Sequence, residues 1–443
     1  MSDLLTPIRR LTDNLPYLLD PKVGIITDVS EHPLEIDSPR FFRFNGSAAN
    51  TEAFGEYRNF AIGGGAATDR ELALAKTIGE AVERYCAAIY EKDEFPLSSY
   101  NEAPFNCVHP ETFALYGKIQ YEHEKFDFDP FTVDSPVRWM PSHNLSLNNI
   151  THVPASMVFV PYYFYENGDE TPIVQPISTG LSCHCSYEEA VIGGICEVIE
   201  RDDFMITWMA QLSRRKIRQE SLSAANKDLI TRFTEVGYKI DLIDITNETT
   251  IPGVLAVGTH DGVNYVPLVV AASVAVSPEE AVRKALEELA HTERYAYQIK
   301  TELPRIVPHP EYDNIQGQTH HVNLWVDPKM KKHAEFLTAS DEWIDFGVLV
   351  DHSRPTPKAE MDHLVEVITK SGYEVLVTDI TTSDISQLGM HVIRAIIPGY
   401  HPLFMGYHNR PVGSKRLWSV PKNLGLGGRT KEQGDYPFPH PFP

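Results

Sequence analysis

Apolar residues recur at three- and four-residue steps in three long stretches of the chain, with short apolar or alternating runs between them. Over residues 69–92, Ala75, Ile78, Val82, Tyr85 and Ile89 mark one face of a helix. A second helix is predicted from Ser186 to about Ser213, and Ser186 with Glu189 has the form of a capping box at its start. A third spans about Pro278 to Lys300, and a shorter one residues 358–372. Strands are predicted over residues 23–29, 41–44, 58–62, 157–165, 240–245, 253–258, 265–276, 374–381 and 391–397. Such a mixture implies an α/β fold of the mixed α+β kind, with more than one sheet layer. No Gly-, Ser- or Pro-rich linker divides the chain. Three stretches are distinguished: strands and loops over 1–60, a core over 61–400, and a tail over 401–443 poor in regular structure.

The first two helices carry the same phrase. Residues 79–84 read GEAVER and residues 196–201 read CEVIER. At about 100° per residue, Glu189, Glu197 and Glu200 fall within an arc of about 80°. Val191, Ile192, Ile195, Val198 and Ile199 take the opposite side. Glu80 and Glu83 sit one turn apart on the earlier helix. A Glu followed four residues later by Arg is also an ordinary surface pair, worth only tenths of a kcal/mol. Two features favour chemistry over a solvated face. Gly193 lies within the acidic arc, where an exposed helix is better served by Ala, and its missing side chain leaves space there. Asp202 and Asp203 extend the acidity beside Trp208, which implies burial, and buried carboxylates need cations. Mg²⁺ held by converging carboxylates is the economical solution. The third helix, with Glu287, Glu288, His291, Glu293 and Arg294, is amphipathic and by itself unspecific.

Composition narrows the partners. The 443 residues are 42% hydrophobic and 23% charged, with a formal charge of −22. Such a surface repels nucleic acid and anionic membrane, so neither is expected as a partner. Five cysteines, an odd number without a CxxC pair, point to reduced thiols in the cytoplasm. Cys183-His184-Cys185 suits no common zinc spacing and reads as loop or strand. Residues 1–10 show no signal peptide, and the apolar run near Val266 to Val276 is too short to span a bilayer. There is no P-loop, GxGxxG, GxSxG or HExxH motif. Gly63-Gly64-Gly65 precedes the first acidic helix, a place where backbone amides bind phosphate. The chain ends PFPHPFP, which favours a stiff polyproline-like segment. Read on its own, that end is disordered or a ligand for an aromatic groove, with a strip that carries its terminal carboxylate into a cleft as the alternative.

Taken together, these segments resemble the YcaO family, in particular its azoline-forming cyclodehydratase branch, the D protein of ribosomally made thiazole and oxazole peptides. Gly64-Gly65 leading into AKTIGEAVERY resembles the family's first ATP-site motif. SYEEAVIGGICEVIERD, residues 186–202, resembles the second, and ALEELAHT, residues 285–292, the third. The proline-rich end resembles the tail of azoline-forming members. The resemblance implies a YcaO-type fold and an ATP site without a P-loop. Its Mg²⁺ ions would be held by Glu80, Glu83, Glu189, Glu197 and Glu200. Nucleotide contacts would come from Gly64, Gly65, Lys76, Arg84, Arg201 and Glu288. Pro443 would lie near the active site, and its carboxylate, His440 or His291 would act as base. Departures from the pattern are Ala66 where many members have Lys, Lys76 where many have Ser, His291 where Gln is common, and Glu293 where Arg is expected, with Arg294 one step later.

The expected activity is ATP-dependent cyclodehydration of a ribosomal precursor peptide at Cys, or Ser or Thr, as in bacteriocin or antibiotic biosynthesis. A separate E1-like or leader-binding partner and a homodimer are expected with it. Two alternatives share the resemblance. One is a YcaO enzyme that makes thioamides or amidines, which the PFPHPFP ending disfavours. The other is a non-catalytic scaffold, which has no need of five glutamates.

Overall fold

The run Gly63-Gly64-Gly65 lies inside a strand, Ile62–Ala67, and not in a loop ahead of a helix. The computed structural model describes residues 5–53, 55, 57–60, 62–124, 126–164 and 168–443. Its contacts divide the chain into two compact units, each built from separated stretches. The first holds residues 1–32, 42–198 and 354–400, and the second residues 33–41, 199–353 and 401–443.

In the first unit, strands Ile26–Glu31, Phe42–Ala48 and Ile62–Ala67 form an antiparallel sheet in chain order. Helix Arg70–Cys86 packs on it, capped by Asp69, whose side chain accepts from the Leu72 N–H at 2.9 Å. The glycines make the close approach possible. A Cβ on Gly65 would stand 2.6 Å from the Ala73 carbonyl and 2.7 Å from Lys76 Cβ, and one on Gly46 2.8 Å from Thr77 Cγ2. The helix ends at Cys86, short of the expected residue 92. Just past it the Ala87 carbonyl accepts from the Val160 N–H at 3.0 Å. The second sheet of this unit runs Leu97–Ser98, Val137–Asn144, Leu376–Asp379, His391–Ile396, Leu181–His184, with Asn149–Pro154 paired to Val137–Asn144. The strand expected over 157–165 does not form. Ala155–Met157 is a 3₁₀ turn, residues 158–164 are irregular, and Tyr165 lies outside the described residues. Val158, Phe159, Val160 and Tyr162 are apolar because they fill the core beside Ile78, Val82 and Tyr85.

In the second unit the sheet order is Leu268–Val274, Gly253–Thr259, Lys239–Asp244, Lys216–Ile217, Trp343–Ile344. The first three strands are antiparallel and the last pair is parallel. Leu268–Val274 is buried at every position, so it reads as a continuous apolar run. Helix Pro278–Glu302 packs Ala281, Val282, Ala285, Leu286 and Leu289 into the same core as Leu242, Val254, Ala256, Val269 and Ala271. Each such Leu or Val contributes about 1.5–3 kcal/mol when fully buried. Helix Tyr187–Met209 is the long second helix of the sequence, opening after Ser186.

Residues 401–443 are more ordered than their prolines suggest. They include a helix, Arg416–Asn423, and a buried end. Trp208 Nε1 donates to the Phe438 carbonyl, Trp325 Nε1 to the Pro439 carbonyl and His321 Nδ1 to the His440 carbonyl, each at 3.0 Å. Proline offers no N–H, so its chain is held through its carbonyls. His440 and Phe442 are 0% and 4% exposed, which overturns the reading of a disordered end.

Candidate functional site

In the first unit, helix Arg70–Cys86 and the first half of helix Tyr187–Met209 bring Glu80, Glu83 and Glu197 into one charged cluster with Arg84 and Arg394. Each glutamate is tethered to a backbone amide. Glu80 Oε2 accepts from Gly64 N at 2.8 Å, Glu83 Oε1 from Cys183 N at 2.8 Å, and Glu197 Oε2 from Gly180 N at 3.2 Å. Gly64 therefore orients a carboxylate with its amide. Arg84 Nη2 reaches Glu80 Oε1 at 3.2 Å. Glu83 is fully buried, and desolvation, then the charges of Glu197 and Glu80, hold its carboxyl well above the usual range against Arg84.

Glu189 stands at the start of its helix, where Ser186 Oγ donates to it at 2.6 Å and His184 Nδ1 lies 2.9 Å away. The His184 bond lowers its pKa most, desolvation opposes, and the Ser186 bond lowers it further. Gly193 does not leave space for a ligand. A Cβ there would strike Ser182 Oγ, so the glycine admits strand Leu181–His184 against the helix. Gly194 does the same, with Ile393 Cδ1 at 2.7 Å and the Gly180 carbonyl at 2.8 Å.

The cation expected at residue 66 arrives from elsewhere. Lys76, one helical layer over, places Nζ 3.0 Å from the Ala66 carbonyl. The exchange of Lys and small residue between positions 66 and 76 thus leaves an ammonium at strand Ile62–Ala67.

In the second unit, Glu200 Oε1 pairs with Arg201 Nη1 at 2.8 Å, and Glu200 Oε2 accepts from Val274 N at 3.3 Å. The Arg201 guanidinium lies 4.7 Å from the centroid of the Phe442 ring, which sets Arg201 beside the last residues of the chain. Asp202 does have the buried cation its position demands, but that cation is Arg416, whose Nε and Nη2 lie 2.9 and 2.6 Å from its oxygens. Burial, then Asp202, pushes Asp203 well above the usual carboxylate range. The third-motif residues divide. Glu287 is buried and paired with Arg283 at 2.7 Å. Glu288 and His291 are partly exposed, 3.9 Å apart. Glu293 accepts from Tyr238 Oη at 3.2 Å, and Arg294 pairs with Glu35 at 3.0 Å, so the shifted Glu-Arg step serves packing within this unit. His440 has Nε2 2.9 Å from the Phe404 carbonyl and Nδ1 3.1 Å from the Phe442 carbonyl two residues on, and burial holds its pKa well below the ordinary value.

Among the described residues, no three His, Cys, Asp or Glu side chains converge on one point as metal ligands do. The amide tethers and Arg84 hold the carboxylates in a spread arrangement instead. The donor set still fits Mg²⁺ and a phosphate chain. It offers hard carboxylate oxygens close enough to raise Glu83, and buried guanidinium N–H groups of Arg84 and Arg394 that have no acceptor among the described residues. Arg394 escaped the sequence reading because no motif contains it. Its one signal is a lone charge in the apolar strand HVIRAI.

A family model described as YcaO cyclodehydratase, ATP- and Mg²⁺-binding, matches residues 64–401. An uncharacterized protein of Methanothermobacter thermautotrophicus is 26% identical over 348 residues, 76% of this chain and 80% of that protein. A solved heterocyclase in complex with substrate and cofactor shares the fold at TM-score 0.80 and 19% identity, covering 99% of this chain. The chain spans only 57% of that heterocyclase's length. The E. coli microcin synthetase McbBCD complex with pro-MccB17 bound contains a chain similar at TM-score 0.61 and 15% identity, over 93% of this chain and 96% of that one. Among the described residues, no helix is long and apolar enough to cross a membrane.

Proposed function

The chain belongs to the YcaO family of ATP- and Mg²⁺-binding cyclodehydratases, and from that premise we propose that it forms thiazoline or oxazoline rings in a ribosomal precursor peptide. The observation that carries this reading is the tethered Glu80–Glu83–Glu197 cluster beside two arginines, a set suited to magnesium and phosphate.

A substrate Cys thiol, or a Ser or Thr hydroxyl, attacks the preceding amide carbonyl. The resulting hemiorthoamide oxygen takes the γ-phosphoryl group of ATP. Loss of phosphate leaves the azoline, so the amide oxygen departs on phosphorus. Mg²⁺ when bound offsets charge on the transferring group. Glu80, Glu83, Glu189, Glu197 and Glu200 are its proposed ligands. Lys76, Arg84 and Arg201 supply positive charge for the phosphates, Gly64 and Gly65 shape the strand beneath Lys76, and Glu288 is assigned to the nucleotide at the third motif.

For the base, a carboxylate at Pro443 is proposed ahead of His440 and His291. Both His440 nitrogens face backbone carbonyls in a buried setting, while His291 is partly exposed beside Glu288. The tail is held by successive carbonyls, which suits a segment whose end must be placed accurately. A separate leader-binding partner is proposed with it, supported by the near full-length likeness to one chain of the McbBCD complex. A homodimer and a cytoplasmic location complete the reading.

The test is mass spectrometry of the cognate precursor incubated with protein, partner, ATP and Mg²⁺. Each ring should remove the mass of one water with one ATP consumed. ATP turnover that persists after Glu197→Gln with Glu200→Gln would overturn the metal assignment. Undiminished cyclisation after deletion of residues 441–443 would overturn the role of the tail.

A further inference from the structure

Arg394 sits in strand His391–Ile396 between Ile393 and Ala395, with its backbone paired to Thr378 on one side and Leu181 on the other. It is 5% exposed. A guanidinium in the interior of a sheet is costly unless an anion meets it. Yet its Nε and Nη1 are buried and have no acceptor among the described residues. Glu197 is the anionic group that acts on it, and one Glu197 oxygen already accepts from Gly180 N. Arg84 acts on it as a like charge, and Arg84 Nε is buried without an acceptor as well. Two guanidinium groups therefore bring together three buried donor nitrogens without an acceptor among the described residues, beside the three glutamates.

The carboxylates offset this repulsion only in part: Glu80 pairs with Arg84 Nη2, but one oxygen of each glutamate is engaged by a backbone amide. An oxyanion bonded to both would use the spare donors and remove the repulsion. The planar fork of arginine suits the oxygens of a phosphoryl group. We propose that Arg394 and Arg84 form the anion-binding half of this site, with Arg394 a direct contact to a phosphoryl group of the nucleotide. This rests on the ATP reading of the site, and adds to it a residue outside every motif. The same donors also suit inorganic phosphate, so the two sources are separated by experiment.

The test uses the full chain with Arg394→Met and Arg394→Lys, each checked by circular dichroism and thermal unfolding. Calorimetry then measures binding of ATP with Mg²⁺, of adenosine, and of inorganic phosphate. Arg394→Met should weaken ATP binding by about tenfold or more, as loss of a charge-assisted hydrogen bond implies. Adenosine affinity should not change, and Arg394→Lys should recover part of the loss. If Arg394→Met fails to fold, the Lys variant carries the test, with weakened ATP binding and unchanged adenosine expected. ATP binding equal to the parent's in either folded variant overturns the proposal, as does a parallel loss of adenosine. If the parent chain binds phosphate but no ATP, the nucleotide reading fails, and loss of that phosphate binding in the variant upholds an anion site for free phosphate only. A parent that binds neither overturns both.

Discussion

The Glu83 carboxylate accepts a hydrogen bond from the backbone N–H of Cys183, 100 residues further along the chain, at 2.8 Å. The bond ties the first acidic helix to the strand that precedes the second. Glu83 is also the most crowded acid of the cluster, buried and facing Glu197 and Glu80. Replacement by Gln keeps an oxygen acceptor and removes a repelling charge. Glu83→Gln is therefore expected to fold with at least the parent's stability by urea unfolding. The same variant should lose about tenfold or more in affinity for ATP with Mg²⁺ by calorimetry.

Lys76→Met removes the ammonium beside the Ala66 carbonyl. If that ammonium serves the phosphates, ATP affinity should fall by about tenfold while adenosine binding is retained. Lys76→Met combined with Ala66→Lys should restore part of the affinity, since the charge returns to the same strand from the other side.

Helix propensity predicts that Gly194→Ala stabilises the long helix by up to about 1 kcal/mol. Packing predicts the reverse. A Cβ there would stand 2.8 Å from the Gly180 carbonyl and 2.7 Å from Ile393 Cδ1. The variant should be less stable than the parent by about 1–3 kcal/mol in chemical unfolding. A more stable variant would show that the strand is not pressed against the helix.

Trp325→Phe removes the donor to the Pro439 carbonyl and leaves that buried acceptor unpaired. The cost is about 1–3 kcal/mol at one of the bonds that set the tail's register. Cyclisation rate should fall while affinity for ATP stays within twofold of the parent's, about the resolution of calorimetry on the kcal scale. Equal losses in both would mean that the tail supports the whole fold rather than the placement of its end.

His321 donates from Nδ1 to the His440 carbonyl and accepts at Nε2 from Gly406 N at 3.1 Å, which fixes a neutral ring. Burial lowers its pKa from 6.5 to about 4. A histidine with a depressed folded pKa contributes stability that is present above the unfolded value and lost as pH falls toward the folded one. Between pH 8 and pH 5 the loss is about 2 kcal/mol for this residue. His321→Asn keeps a donor near the Nδ1 position and cannot titrate. Urea midpoints at the two pH values should show the parent losing about 2 kcal/mol more than the variant.

The acidic helices and the buried strands of the second unit's sheet were legible because each follows a local pattern. Val282, Leu286 and Leu289 repeat at four- and three-residue steps, and Leu268–Val274 is apolar at all but Ser273. The carboxylates Glu80, Glu83 and Glu197 were legible as a repeated phrase. The strand expected over 157–165 was misread because Val158, Phe159 and Val160 are apolar for core filling, which has no period of its own.

What the sequence by itself determined is the set of groups: five glutamates on two helices, glycines beside them, a proline-rich tail. Periodicity and residue chemistry are local properties, and they survive without a fold. Only the tertiary structure decided what those groups meet. It turned Gly63–Gly65 from an expected phosphate loop into a strand under a helix, made Gly193 and Gly194 seats for other strands, and brought Lys76 to Ala66. It also set Arg394 from strand His391–Ile396 beside Glu197 and Arg84. Such pairings depend on close packing between segments far apart in the chain, and no local pattern encodes that distance.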